Sequence, residues 1–134
     1  MSAEKLCQLA LEAMQRAYAP YSGYKVGAAL LCADGTVYSG CNIENASYSP
    51  TNCAERTAVF KAVSEGEKEF TAIAIVGGKG ENPADFCAPC GICRQVLAEF
   101  CDSDFRIILG TPDNIRVYTL AELLPLSFGK ADLK

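Results

Sequence analysis

A chain of 134 residues, half of them apolar, has length for one domain (1–134) with a real core and none for a second. Twelve basic against sixteen acidic residues leave a net charge of −4 without a basic cluster, which argues against nucleic acid and favours a small uncharged ligand. Histidine is absent, which excludes a Ser-His-Asp relay, a Cys-His pair and every histidine-containing zinc set, and leaves proton transfer to a carboxylate.

In chain order, Leu6, Leu9, Ala10, Ala13, Met14 and Ala17 recur at helical spacing and predict an amphipathic helix ending before Pro20. Ala19 to Gly23 then reads as a turn. Lys25 to Cys32 and Thr36 to Cys41 flank Ala33-Asp34-Gly35, and Asp-Gly between apolar runs predicts a hairpin. The polar stretch from Asn42 to Asn52 leads into a helix over Cys53 to Ser64, with Thr51 or Asn52 as its cap. Phe70 to Val76 reads as an interior strand closed by Gly77-Gly78, with a long loop to Pro89.

A third helix is expected over Gly91 to Phe100, burying Ile92, Val96, Leu97 and Phe100. Phe105 to Leu109 and Ile115 to Thr119 predict two strands around Thr111 to Asn114, and Thr119-x-x-Glu122 is a capping box for a last helix to Leu124. The order α-β-β-α-β-α-β-β-α implies a three-layer α/β/α sandwich around one five-stranded mixed sheet. A polar amphipathic start, and no apolar run near the roughly 20 residues that span a bilayer, imply a soluble cytoplasmic protein without a membrane partner. Cys7, Cys32, Cys41 and Cys101 sit among apolar neighbours and read as small core residues.

Chemistry concentrates in Cys53-Ala54-Glu55-Arg56 and Pro89-Cys90-Gly91-Ile92-Cys93. Zinc prefers four ligands in a tetrahedron, and a catalytic site leaves one position for water. Cys53, Cys90 and Cys93 would fill three, Cys90 and Cys93 from the start of one helix and Cys53 from that of a second, where unpaired N–H groups favour thiolates. On a helix, Glu55 would project about 200° from Cys53, so it reads as a general acid/base beside the open position and not as a fourth ligand. Three thiolates make water harder to deprotonate, and Arg56 could offset them by hydrogen-bonding sulfur.

These motifs resemble the small cytidine deaminases that use three cysteine zinc ligands and assemble as homotetramers, and the pairing of such ligands with a non-ligating glutamate is the general zinc-deaminase pattern. The resemblance also covers Tyr18 to Ala29, Gly40 to Tyr48 and Glu122 to Pro125. It implies the same fold, one zinc per chain, and hydrolysis of cytidine and 2'-deoxycytidine to the uridines plus ammonia in pyrimidine salvage. It further implies that Tyr24, where the family carries phenylalanine, packs on the base. By the same resemblance Asn42 and Glu44 hold the ribose hydroxyls, the Ala54 backbone and Glu55 read the base edge, and Tyr48 and Phe128 reach a neighbouring subunit's site.

Other readings compete. Another aminated nucleoside, such as a nucleoside antibiotic, could be the substrate. Cys87-x-x-Cys90-x-x-Cys93 resembles part of an iron–sulfur run, or Cys87 could close a four-cysteine structural zinc site in a non-enzymatic module. The run lacks a following Cys-Pro, and a closed site would leave Glu55 without a task. Cys90-Gly-Ile-Cys93 could also be a dithiol pair. The stretch from Gly77 to Gly80 lacks the ending of a phosphate loop and reads as turn chemistry.

Overall fold

The computed structural model describes residues 1–79, 83 and 86–133. Helix α1 (Ala3–Met14) leads to strands β1 (Tyr24–Cys32) and β2 (Val37–Cys41), helix α2 (Ala54–Ser64) and strand β3 (Phe70–Lys79). Helix α3 (Gly91–Phe100), strands β4 (Arg106–Thr111) and β5 (Asn114–Thr119), helix α4 (Leu120–Leu123) and a 3₁₀ turn at Lys130–Leu133 follow. The expected element order is therefore realised.

The strands form one sheet in the order β2-β1-β3-β4-β5, with β3 and β4 parallel and the other pairs antiparallel. Period-two alternation sorts the two faces. Ala72, Ala74 and Val76 of β3 meet Leu6, Cys7, Ala10 and Met14 of α1, while Ile73 and Ile75 meet Ala58, Val59, Ala62 and Leu97 of α2 and α3. Helices thus cover both faces, as the three-layer expectation requires. No described helix is long and apolar enough to cross a membrane.

Gly40 sets how closely α2 approaches. A Cβ there would stand 2.6 Å from the Ala58 nitrogen and 2.7 Å from the Ala54 carbonyl oxygen, so helix backbone rests directly on β2. That contact fixes the height of the helix start where Cys53 lies.

Several boundaries depart from expectation. α1 ends at Met14 because the following chain is needed elsewhere: Tyr18 N–H donates to the Asn42 carbonyl (3.0 Å) and Glu44 N–H to the Tyr18 carbonyl (2.8 Å). β3 does not stop at Gly77-Gly78 but continues through both to Lys79, paired with Tyr24, Lys25 and Val26 of β1. The rest of the expected loop, residues 80–82, 84 and 85, lies outside the described residues, as does the Gly80 end of the glycine stretch. Ile92 is 62 % exposed, not buried, because the first turn of α3 turns Cys93 inward instead. Neither Thr51 nor Asn52 caps α2; Cys53 holds that position.

Candidate active site

Both helices that frame the site begin with a cysteine. Cys53 is the N-cap of α2 and Cys90 of α3, each in extended conformation and neither making a side-chain cap hydrogen bond. Such positions usually carry Ser, Thr, Asp or Asn, whose oxygen turns back onto the helix. Here the thiols are left to point outward at each other. Because Cys53 precedes the helix, its relation to Glu55 follows from cap geometry and not from the 200° separation expected on a continuous helix.

Cys53 Sγ lies 3.7 Å from Cys90 Sγ, and Cys90 Sγ 3.4 Å from Cys93 Sγ. Zn–S bonds near 2.3 Å place tetrahedral sulfurs about 3.8 Å apart, so the triad fits a zinc ion without rearrangement. Cys87 is not in this cluster, which contains only Cys53, Cys90 and Cys93 of the described cysteines. The closed four-cysteine site therefore does not form.

Arg56 Nη2 donates to Cys53 Sγ at 3.3 Å, and Arg56 Nε is buried without a partner among the described residues. A guanidinium held this way calls for negative charge beside it, which three thiolates supply. Hydrogen bonding from Cys93, aided by Arg56 and Cys90, draws the Cys53 thiol down to about 5 against its burial. Cys93 is held up in turn by its bond to Cys53 and by burial, so the first thiolate forms readily and the second waits for a cation.

Glu55 is 4 % exposed. Burial first, and the neighbouring Cys53 charge next, push its carboxyl up to about 7. A carboxylate poised near neutrality can both accept and return a proton. The helix start beneath it is held by Thr57, whose hydroxyl donates to the Cys53 carbonyl (3.2 Å) and accepts from Asn52 Nδ2 (3.1 Å).

A cavity of about 240 Å³ opens onto this group, lined by Tyr24, Val26, Asn42, Cys53, Ala54 and Glu55 together with Cys87, Ala88 and Cys90. Thr51 joins it to an outer cavity of about 370 Å³ that holds Tyr21, Ser22, Glu44 and Tyr48. Glu44 Oε1 accepts from the N–H groups of Tyr21 (2.9 Å) and Ser22 (3.2 Å), and Oε2 from the Ser22 hydroxyl (2.5 Å). The Ser22 hydroxyl, with these amides, holds the Glu44 carboxyl below its ordinary value. Asn42 Oδ1 accepts from Val26 N–H (2.8 Å) and Nδ2 donates to the Tyr24 carbonyl (2.9 Å), which ties the loop to β1. One Nδ2 hydrogen and one carboxylate lone pair remain for a ligand.

Residues 1–109 match the family model described as the cytidine and deoxycytidylate deaminase zinc-binding region. The chain belongs to the cytidine deaminase family. It is 52 % identical to a cytidine deaminase of Sporosarcina psychrophila over 99 % of this chain and 96 % of that one. A cytidine deaminase of Halalkalibacterium halodurans is 49 % identical, covering 99 % and 98 %. The 1.6 Å crystal structure of cytidine deaminase from Burkholderia pseudomallei superposes with a TM-score of 0.87 at 46 % identity, covering 96 % of this chain and 100 % of that one. The expected fold is thereby shared with experimentally determined members of the family, and the matched zinc-binding region contains all three clustered cysteines.

Within this deaminase-family chain the structure brings Tyr24, Asn42, Ala54 and Glu55 into the cavity with the cysteines, and sets Glu44 just outside it. Tyr48 and Phe128 stay on the surface, 73 % and 59 % exposed. Tyr48 has a φ of 63° and its ring meets Tyr21 edge-on at 6.5 Å. Two contributors, Ser22 and Thr57, carry no signal in the sequence. Ser22 anchors Glu44 and Thr57 anchors Cys53, through pairings that leave no periodic signal; Cys87 lines the cavity, and only its three-residue spacing drew notice.

The raised Glu55 carboxyl has a stability consequence in metal-free protein. The folded state binds its proton more tightly than the unfolded state, so stability falls as pH rises from about 4.5 to 7. In zinc-stripped, reduced protein, Glu55→Gln should be more stable than the parent at pH 8 by about 1–3 kcal/mol and no more stable at pH 4, measured by urea unfolding.

Proposed function

We propose that the chain hydrolyses cytidine and 2'-deoxycytidine to uridine and 2'-deoxyuridine, releasing ammonia, as a cytoplasmic step of pyrimidine nucleoside salvage. The observation that carries this reading is the buried Glu55 carboxyl beside three converging sulfurs in a cavity walled by Tyr24, Asn42 and Ala54. Zinc held by Cys53, Cys90 and Cys93 would supply the Lewis acidity that makes water a nucleophile at neutral pH.

The chain's own residues do the rest. Tyr24 presents its ring to the pyrimidine, and the Ala54 backbone with Glu55 holds the base edge. Glu55 takes a proton from the attacking water and delivers it to the ring nitrogen next to the amino-bearing carbon, which becomes electrophilic as the water oxygen bonds to it. Glu55 then takes the proton of the newly bonded hydroxyl and passes it to the amino group, which lets the carbon–nitrogen bond break. Ammonia leaves and the carbonyl of uridine forms. Asn42 and Glu44 fix the ribose hydroxyls at the mouth of the cavity. Arg56 draws electron density from Cys53, restoring acidity that three thiolates would otherwise remove.

All eight cysteines are unpaired, in keeping with a reducing compartment. The domain 1–134 acts as one unit, and we assign it a homotetramer in which Tyr48 and Phe128 complete the sites of neighbouring chains. Their exposure at the outer cavity and at the tail supports this. Sedimentation equilibrium should give about four times the 14.3 kDa chain mass, and Phe128→Ala should raise the KM for cytidine. A monomer that turns over cytidine at full rate would refute the shared site.

The decisive assay is loss of cytidine absorbance in the ultraviolet. Glu55→Gln should retain about one zinc per chain while kcat falls by about 10²–10⁴. Turnover by that variant at the parent rate would remove Glu55 from the mechanism.

A further inference from the structure

Cys90 reaches the sulfur cluster from a stretch of backbone that its own side chain does nothing to hold. It is the N-cap of α3, and its thiol makes no bond back to the helix. Pro89 before it is fully buried, lacks an N–H and has φ set by its ring. One torsion, ψ of Pro89, therefore decides where the Pro89 carbonyl points and in which direction Cys90 sets out. Rotation there would swing the Cys90 sulfur away from Cys53 and Cys93, which it now meets at 3.7 and 3.4 Å.

That torsion is held from one turn further along the helix. Arg94 Nε donates to the Pro89 carbonyl (2.8 Å), and Arg94 Nη1 donates to the Leu123 carbonyl at the end of α4 (2.5 Å). A guanidinium is planar and carries its donors in a fixed fork, so seating one nitrogen on Leu123 sets the direction of the other. A helix end leaves carbonyls unpaired, and Arg94 answers one of them. The far anchor is itself firm. Leu120 is buried in the core, Thr119 and Glu122 form a capping box, and Gln95, next on α3, donates to the Phe128 carbonyl (2.8 Å). The chain is thus tied down on both sides of Leu123. Arg94 is not among the residues that line either cavity, so its bonds bear on the cysteine backbone and not on a bound ligand.

We propose that Arg94 is a positioning residue for the zinc centre: braced on α4, it fixes the Pro89 carbonyl and so presets the Cys90 sulfur at its place in the triad. This role rests on zinc being held by Cys53, Cys90 and Cys93, and it is the same whichever aminated nucleoside is the substrate.

Zinc transfer from the loaded protein to a chromogenic chelator tests it in the parent, Arg94→Met, Arg94→Lys and Leu6→Val, with urea unfolding of each and visible spectra of the cobalt(II)-substituted proteins. Arg94→Met keeps the aliphatic stem and loses the donors. It should release zinc about 10- to 100-fold faster than the parent and shift the sulfur-to-cobalt charge-transfer bands. Arg94→Lys, with one donor group in place of a fork, should release it about 3- to 10-fold faster. Leu6 packs on the opposite face of the sheet, so Leu6→Val should lower stability yet release zinc within about 2-fold of the parent rate. Parent-like release by Arg94→Met, an unchanged cobalt spectrum, or a Leu6→Val variant that loses zinc as fast as Arg94→Met would each overturn the proposal. Should Arg94→Met not fold, the lysine variant decides, and release at the parent rate by that variant overturns the role. Parent protein that does not hold about one zinc per chain would overturn the metal assignment and this role with it.

Discussion

Two helices begin at one point in this structure, and what each does with its first exposed N–H groups determines the rest. A helix start concentrates partial positive charge and leaves donors unpaired, which the residue at the cap normally answers with its own oxygen. Cys53 and Cys90 decline that role, and their sulfurs converge with that of Cys93, Cys90 standing 3.7 Å from Cys53 and 3.4 Å from Cys93. The arrangement demands that α2 and α3 share one face of the sheet. The β3–α3–β4 crossover provides this, because it returns the chain to a parallel neighbour with α3 packed beside α2. Gly40 lowers α2 onto the strands, and the long pairing of β3 with β1 carries Gly77 under the cavity.

Charge is the second constraint. Three sulfurs and a buried carboxyl would repel one another were the protein to ionise them all, and among the described residues Arg56 is a cation in direct contact with the group. The result is a set of shared protons: Cys53 ionises early, Cys93 late, and Glu55 near neutrality. A divalent cation held by the thiols would resolve that competition and leave Glu55 the proton-transfer role proposed for it. The same burial that makes the carboxyl useful makes it a liability to the empty fold, which is how a catalytic centre differs from a core.

Much of this was legible in the sequence because it depends on local rules. Asp34-Gly35 announced the hairpin, Thr119-x-x-Glu122 the capping box, and the apolar periodicities the helices and the central strand. The cysteine spacing with Glu55 disclosed the site, since few other chemistries use those residues together. What failed to show depends on contacts distant in the chain. Gly77-Gly78 looked like a stop, yet β1 supplies the partners that make it a strand. α1 was read too long because nothing local says that Tyr18 must pair with residues 42–44. Ile92 was assigned to the core by its type alone, whereas Cys93 takes the inward position. The cap of α2 was assigned to Thr51 or Asn52 by propensity, and the metal-binding thiol overrode it.

Zinc K-edge X-ray absorption on the purified protein tests the central claim, that the site is a three-sulfur centre with one position left open. The expected fine structure shows three sulfurs near 2.3 Å and one oxygen or nitrogen near 2.0 Å. Four sulfurs and no light atom would mean that a further cysteine closes the coordination sphere, and would contradict both the open site and the task assigned to Glu55.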